Sequence, residues 1–499
     1  MAQSPPRRDA VPTGVPGLDI ILRGGLLPGR IYLIEGRPGT GKTTMSIQYL
    51  LEGRRRGERA LYVSLLQTEE ELNVMLHSHG WTLNGVKMLE LPARAKKHLT
   101  SSQTLFSTAD IELTEAIDSI LTAIREYKPQ RLVLDSISEL SLLVETPYQL
   151  RQQLVRLKHG LDESGCTALL TASEGRQQEM TAVETMAHGA LHLESETPYY
   201  GRPVRRLEVI KMRGLAFAGG KHDFQIYRGG LEVYPRTENT PVPPRTSWNQ
   251  IKSGNAEIDR MLGGGLEEGT TCLISGSSGA GKSTLASLYV HAMAQAGKHS
   301  CVYCFDERKD TFLKRSTNLG LDMEPYIANG LIDLQQIEVG DISPGEFLYR
   351  LRRSVDIGDA KGIVIDSING FFNAMPGRRE LDLQLHDLLG YLNSAGVLSL
   401  LITTVVNAYR EGSQDLVDAS YLADCVVLMR HFEAGGRLHR CISVVKKRHG
   451  DHETAIREIH SGCLGIEVGP PLEEFSGVLT GTPVYNGPRS QLIPASEGE

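Results

Sequence analysis

Two stretches of this chain have the residue types and spacing to bind phosphate. They are Gly36-Arg-Pro-Gly-Thr-Gly-Lys-Thr43 and Gly276-Ser-Ser-Gly-Ala-Gly-Lys-Ser283, and both fit G-x-x-x-x-G-K-[ST], the P-loop pattern. Gly36, Gly39 and Gly41 in one, and Gly276, Gly279 and Gly281 in the other, free the backbone to wrap phosphates with inward-pointing N–H groups. A helix starting after each loop adds its positive dipole end. Lys42 and Lys282 are placed to reach the β- and γ-phosphates, and Thr43 and Ser283 to ligate Mg²⁺. Thr40 and Thr44, and Ser278, Ala280 and Thr284, complete the two sets of nucleotide contacts. Downstream, Arg131-Leu-Val-Leu-Asp135 and Gly362-Ile-Val-Ile-Asp366 are apolar runs ending in aspartate. Asp135 and Asp366 fit the Walker B role of holding the Mg²⁺ shell. The alternative, an aspartate that merely closes a strand, is weakened by the Asp-Ser context in both places.

Those residues need a strand–loop–helix frame, and the pattern supplies one twice. Ile31-Tyr-Leu-Ile-Glu35 runs into the first loop, and Thr44 to Arg55 carries helically spaced apolar residues. Strands follow at Ala60–Ser64, Arg131–Asp135 and Thr167–Ala172, and helices at about Thr114–Tyr127 and Leu150–Glu163. Thr68 with Glu71 makes a capping box, predicting a helix from Glu69 to about His79. Leu191–Glu194, Arg205–Met212 and His222–Tyr227 read as closing antiparallel strands. Thr237-Glu-Asn-Thr-Pro-Val-Pro-Pro244 is a Pro-rich break, and after it the pattern replays. Ser253–Asp259 answers Thr13–Asp19, Cys272–Ser275 feeds the second loop, and strands follow at His299–Phe305 and Val397–Thr403. The expected fold class is therefore α/β, with two tandem domains, each a mostly parallel sheet covered by helices on both faces. The boundaries expected are a flexible tail at 1–12, domain one at 13–236, a linker at 237–246, domain two at 247–470 and a mobile tail at 471–499.

Composition limits the function classes. The chain has 499 residues, 40% hydrophobic and 23% charged, as soluble domains do. A net charge of −7 gives no global drive toward nucleic acid or an anionic membrane. Met1 to Asp9 has no signal-peptide character and no apolar run reaches transmembrane length, so the expectation is a cytoplasmic protein. The seven cysteines are an odd number. Cys301-Val-Tyr-Cys304 has C-x-x-C spacing, but lies in a strand-like run with no second pair, which favours buried thiols over metal or redox use.

The duplicated loops, the Gly17-Leu-Asp19 approach and the segments Lys211-Met-Arg-Gly214 and Ala455-Ile-Arg-Glu458 resemble the KaiC family, known from circadian clock proteins. The likeness spans roughly residues 12 to 480. It implies RecA-like ATPase domains and a two-tiered homohexamer with ATP between neighbouring subunits. It further implies hydrolysis in the first tier, and transfer of phosphate to a Ser/Thr pair on an adjacent subunit in the second. Family members carry paired glutamates after the second strand. In the second half these positions hold Asp306 and Glu307, a carboxylate pair for activating the attacking group, with Asp306 also near Mg²⁺. In the first half they hold Leu66 and Gln67, so that half is expected to bind ATP and turn it over slowly. Glu69, Glu70 and Glu71 lie close but read as an acidic first turn. The family's Lys-x-Arg contact to the neighbour's nucleotide maps onto Lys211, Met212 and Arg213, and onto Lys446, Lys447 and Arg448, with Lys446 and Arg448 stabilising γ-phosphate charge. Arg440 and Ser78 match further nucleotide contacts, whereas Leu319 replaces a stacking aromatic. The phosphorylated pair maps onto Ser420 and Tyr421. Serine is kept; tyrosine carries its hydroxyl too far out for a Ser/Thr site, so Ser420 alone is the candidate.

The reading is an ATP- and Mg²⁺-dependent hexameric ATPase with Ser/Thr autokinase activity in its second domain, acting as a nucleotide-driven switch on regulatory or signalling partners not identifiable from sequence. One alternative is a RecA- or RadA-type DNA-dependent ATPase, which the acidic balance and the full use of the chain by two ATPase units disfavour. The other is a non-catalytic scaffold glued by ATP.

Overall fold

The computed structural model describes residues 10–91, 108–141, 147–174, 183–199, 201–236, 249–375, 378–404, 421–462, 465–479 and 483–487. The chain divides into two compact units, Met1–Glu238 and Asn239–Glu499. The expected linker at 237–246 and Ser420 lie outside the described residues.

In the first unit the apolar runs become β1 (Ile31–Gly36), β2 (Ala60–Ser64), β3 (Val86–Glu90), β4 (Arg131–Asp135), β5 (Thr167–Ala172), β6 (Gly189–Glu196), β7 (Val204–Met212), β8 (Lys221–Tyr227) and β9 (Gly230–Tyr234). They form one nine-stranded sheet in the order β3-β2-β4-β5-β1-β6-β7-β8-β9. Pairing is parallel from β3 to β6 and antiparallel from β6 to β9. The second unit opens with a short antiparallel pair, β10 (Gln250–Ile251) and β11 (Leu266–Glu267). Then come β12 (Thr271–Gly276), β13 (Ser300–Cys304), β14 (Ile332–Gln336), β15 (Gly362–Asp366), β16 (Leu398–Thr404), β17 (Cys425–Ala434), β18 (Arg437–Lys447), β19 (Arg457–Gly462) and β20 (Gly465–Pro471). Their order, β14-β13-β15-β16-β12-β17-β18-β19-β20, repeats the first sheet position for position.

Each sheet is buried on both faces because its parallel strands are apolar at successive positions. Ile31 and Leu33 of β1 enter one core with Ile117, Ile120, Leu154 and Leu157 of the helices Thr108–Tyr127 and Pro147–Ser164. Tyr32 and Ile34 enter the other, with Ile47 and Leu50 of helix Lys42–Arg55 and Leu72 and Leu76 of helix Glu69–His79. In β12, Cys272 and Ile274 face helix Lys282–Gln295 while Leu273 faces Phe347, Leu351 and Leu385. Each such Leu or Ile contributes about 1.5–3 kcal/mol by leaving water. The parallel strands all end on one side, where open α/β sheets bind ligands.

Several elements differ from expectation. β3 and β9 are not among the expected strands: Val-Lys-Met-Leu-Glu of β3 is a half-buried edge, and Gly-Leu-Glu-Val-Tyr of β9 is short though mostly buried. β6, expected to be antiparallel, pairs parallel with β1 and antiparallel with β7, and is the strand at which the sheet changes sense. The helix expected from Thr114 starts at Thr108. Part of the tail expected to be mobile folds back. β21 (Phe475–Ser476) pairs with β22 (Val484–Tyr485), and Val478 is buried against Phe432 and Cys441. Among the described residues no helix is long and apolar enough to cross a membrane.

Candidate functional site

Each P-loop joins the end of a central strand to a helix N-terminus. Gly41 and Gly281 cap helices Lys42–Arg55 and Lys282–Gln295 at φ 104° and 103°, a left-handed conformation that glycine adopts without steric cost. A Cβ on Gly36 would lie 2.3 Å from the carbonyl oxygen of Leu193, and one on Gly276 1.8 Å from that of Met429. The loops are thus seated against β6 and β17, with Gly39 and Gly279 also at positive φ. Lys42 Nζ donates to the carbonyls of Gly36 at 2.6 Å and Arg37 at 2.9 Å. Lys282 Nζ donates to Gly276 at 3.0 Å and Ser277 at 2.7 Å. Each ammonium lies across its own loop. Burial pushes both lysine pKa values down, and Asp135 and Asp366 respectively oppose this.

The strand-ending aspartates stand beside the loop hydroxyls. Thr43 Oγ1 donates to Asp135 Oδ2 at 2.7 Å, and Tyr62 donates to the same oxygen at 2.9 Å. Thr171 donates to Oδ1. Ser283 likewise hydrogen-bonds Asp366. By strand register, the counterparts of Tyr62 and Thr171 in the second unit are Val302 and Ile402. Asp366 therefore has fewer hydroxyl partners in an apolar setting. Burial raises its pKa; the Ser283 bond lowers it, Glu307 and Asp306 raise it further, and Arg315 opposes them. The peptide bond after each of these aspartates is cis.

The carboxylate positions separate the two sites. In the second unit Asp306 is exposed, with Oδ2 accepting from Ser367 Oγ at 2.5 Å. Glu307 is bound through both oxygens by Arg315, at 3.2 Å and 2.9 Å. In the first unit Leu66 is exposed, and Gln67 is tied by its backbone to Ser64 Oγ. The capping box forms: Glu71 N donates to Thr68 Oγ1 and Thr68 N to Glu71 Oε2. Glu69–Glu71 is accordingly a helix start.

Sequence reasoning missed the groups that flank the loops. Arg37 of the first loop pairs with Glu174 at 2.8 Å, and His192 lies 3.3 Å from the other Glu174 oxygen. Burial, with Glu184, raises the pKa of Glu35 beside this group. In the second loop Ser277 Oγ is 3.0 Å from His431 Nδ1. Burial, then Arg440 and Lys282, depress the His431 pKa. Glu174 just after β5, His192 of β6 and His431 of β17 lie far from the loops in sequence, and sheet order brings them close.

Lys211 donates to the carbonyl of Glu184 and Arg213 to that of Thr185, at the exposed end of β7. Lys446 donates to Ala423 O at 2.9 Å, and Arg448 to Asp424 and to Tyr421 O. The middle residues of the two triplets point the other way. Met212 is packed in the core. Lys447 points inward, with its side chain 1% exposed, paired with Glu267 at 2.8 Å and donating to Gly265 O at 3.1 Å. Neither side chain faces outward. Arg440 donates to Ser461 Oγ at 2.8 Å and Ser78 to Met75 O at 2.7 Å. Cys301 and Cys304 are buried in β13, their thiol pKa values pushed up to about 11 and about 12.

All of this fits a nucleotide with a divalent cation. A hydroxyl and a carboxylate oxygen side by side are the donors a hard cation takes alongside phosphate and water. No cluster of three metal-ligating side chains occurs among the described residues. A P-loop cation requires none, because phosphate supplies the remaining ligands.

Two RecA-like α/β domains in tandem, each with a P-loop and a strand-ending aspartate, define a double P-loop ATPase. The sequence profile of the KaiC ATPases matches residues 11–238 and 251–473, and the chain belongs to that family. It is similar to the circadian clock protein KaiC3 of a Synechocystis species, 26% identical over 489 residues that cover 95% of this chain and 94% of that protein. The circadian clock oscillator protein KaiC of Thermosynechococcus vestitus is 24% identical over 481 residues, 95% of this chain and 91% of its own. Circadian clock protein KaiC2 of Synechocystis is 26% identical over 484 residues, 95% and 84%.

Proposed function

We propose that the first domain holds ATP and that the second hydrolyses it, using Mg²⁺ at Ser283, Asp366 and Asp306. The observation that carries this division is the pair Asp306–Glu307 at the end of β13, against Leu66–Gln67 after β2. Lys282 and the helix N-terminus hold the phosphates, and Ser283, Asp366 and Asp306 would hold a Mg²⁺ ion that would supply positive charge against the phosphates. The Asp306–Glu307 pair polarises a water, which attacks the γ-phosphorus as the bond to the β-phosphate oxygen breaks. ADP leaves, and the water's proton passes to a carboxylate. The same step with the Ser420 hydroxyl of an adjacent subunit in place of water gives phosphoserine and ADP. Lys446 and Arg448, and Lys211 and Arg213, supply charge to a neighbour's nucleotide in a homohexamer. The ring then works as a nucleotide-driven switch for signalling partners, as the names of its relatives suggest for a clock. The test is phosphate release from Lys42→Ala and Lys282→Ala proteins, with mass spectrometry of Ser420 after Mg-ATP. Turnover lost only with Lys282, and phosphate on Ser420, support the reading. Turnover unaffected by Lys282→Ala refutes the assignment of hydrolysis to the second site, and unmodified Ser420 refutes the autokinase.

A further inference from the structure

The Glu307–Arg315 pair is not explained by the P-loop chemistry alone. Arg315 lies on helix Lys309–Asn318, which starts directly after the carboxylate pair. Its guanidinium grips both Glu307 oxygens, reaches Ser287 Oγ on the P-loop helix at 3.5 Å, and stacks over Phe312 at 5.1 Å. The two partners are only 25% and 21% exposed. One side chain thus links the carboxylate, the P-loop helix and the helix between them. A two-point fork fixes a carboxylate in direction as well as position.

The duplication supplies an internal control. The same helical step after the same strand in the first unit holds Met75, packed against the core. The residue matching Glu307 is Gln67, and the one matching Ser287 is the buried Ile47. The unit with the carboxylate pair has a carboxylate, a guanidinium and a hydroxyl at these positions, and the other unit has an amide, a thioether and an aliphatic side chain, none able to form the linkage. An incidental ion pair would not require the serine on a separate helix to change with it.

We infer that Arg315 is a positioning residue of the second site, holding the Glu307 carboxylate at a fixed angle to the P-loop helix for ATP hydrolysis. This rests on the reading of the second site as the hydrolytic one. Arg315 acts only through Glu307, so its loss lowers kcat without weakening ATP binding.

The experiment is a double-mutant cycle on the full chain, measuring kcat and KM for ATP. Arg315→Met, which imports the first unit's residue, is expected to lower kcat about 100-fold, the usual scale for a misplaced catalytic group, with KM within about 3-fold. Arg315→Lys keeps the charge but loses the fork, and falls between the two. In a Glu307→Gln background, adding Arg315→Met lowers kcat by less than about 3-fold, because the group it positions is already gone. A merely structural arginine would give the same loss in both backgrounds. If Arg315→Met does not fold, the cycle with Arg315→Lys carries the test. Wild-type kcat in the single variant, or equal losses in both backgrounds, overturns the inference and leaves the hydrolytic reading intact. A wild-type protein with no Lys282-dependent turnover overturns both.

Discussion

The buried pair Lys447–Glu267 gives the sharpest test of how the two units diverged. At the register positions where the first unit has Met212 and Leu27, the second has a lysine and a glutamate, 1% and 8% exposed. Lys447→Met strips Glu267 of its ion partner, and leaves the Leu262 and Gly265 carbonyls without their donor. Breaking a buried ion pair from one side costs about 3–5 kcal/mol. For a unit of this size each kcal/mol moves the melting midpoint by about 2–4 °C, so the shift is on the order of 10 °C. Replacing both partners removes the uncompensated charge. Glu267→Leu with Lys447→Met is expected within about 1 kcal/mol of wild type, since apolar replacement of a buried pair is often neutral or better. Calorimetry of the second unit's transition in the full chain measures both, and ATP affinity is read alongside. Equal destabilisation of single and double variants refutes the buried-charge reasoning. Lost ATP affinity at unchanged stability in Lys447→Met would show that this lysine serves the nucleotide after all.

Three other outcomes follow from the same geometry. Gly276→Ala places a Cβ 1.8 Å from a backbone oxygen at positive φ, so it is expected to cost about 3 kcal/mol or more and to abolish nucleotide binding in the second site only, read by calorimetric titration. Asp366 has a folded pKa raised by burial, so the folded nucleotide-free unit binds its proton more tightly than the unfolded chain. Stability therefore rises as pH falls through that folded pKa and is lost above it. Asp366→Asn should raise the neutral-pH midpoint by about 2–4 °C and flatten this dependence in thermal melts, while stopping turnover. Thr68→Ala removes the capping box of helix Glu69–His79 and is expected to cost about 1 kcal/mol in denaturant titrations, leaving turnover at the second site unchanged.

Much of this molecule was legible before folding is considered. The P-loops, the strand-ending aspartates and the capping box are local patterns, because each is fixed by backbone geometry over a few residues. The duplication was legible for the same reason, and with it the contrast between Asp306–Glu307 and Leu66–Gln67. Edge strands such as β3 were not, since a half-buried strand needs no continuous apolar run. The sense of β6 was not either, because parallel and antiparallel neighbours ask for the same residues.

Tertiary structure alone decided which charged residues stay near the surface and which face inward. Lys446, Lys447 and Arg448 are consecutive cations in sequence; strand alternation and the position of Glu267 send the middle one into the core. Tyr62 and Thr171 reach Asp135 across distances that no local pattern encodes, and Arg315, only a helix turn or two beyond Glu307, also needs the P-loop helix beside it to reach Ser287. The sequence by itself determined that nucleotide chemistry is present twice, because phosphate binding is built from a short backbone loop. The fold decided how the strand-ending carboxylate Asp135 is held, because its hydroxyl partners come from the strands that sheet order places beside it.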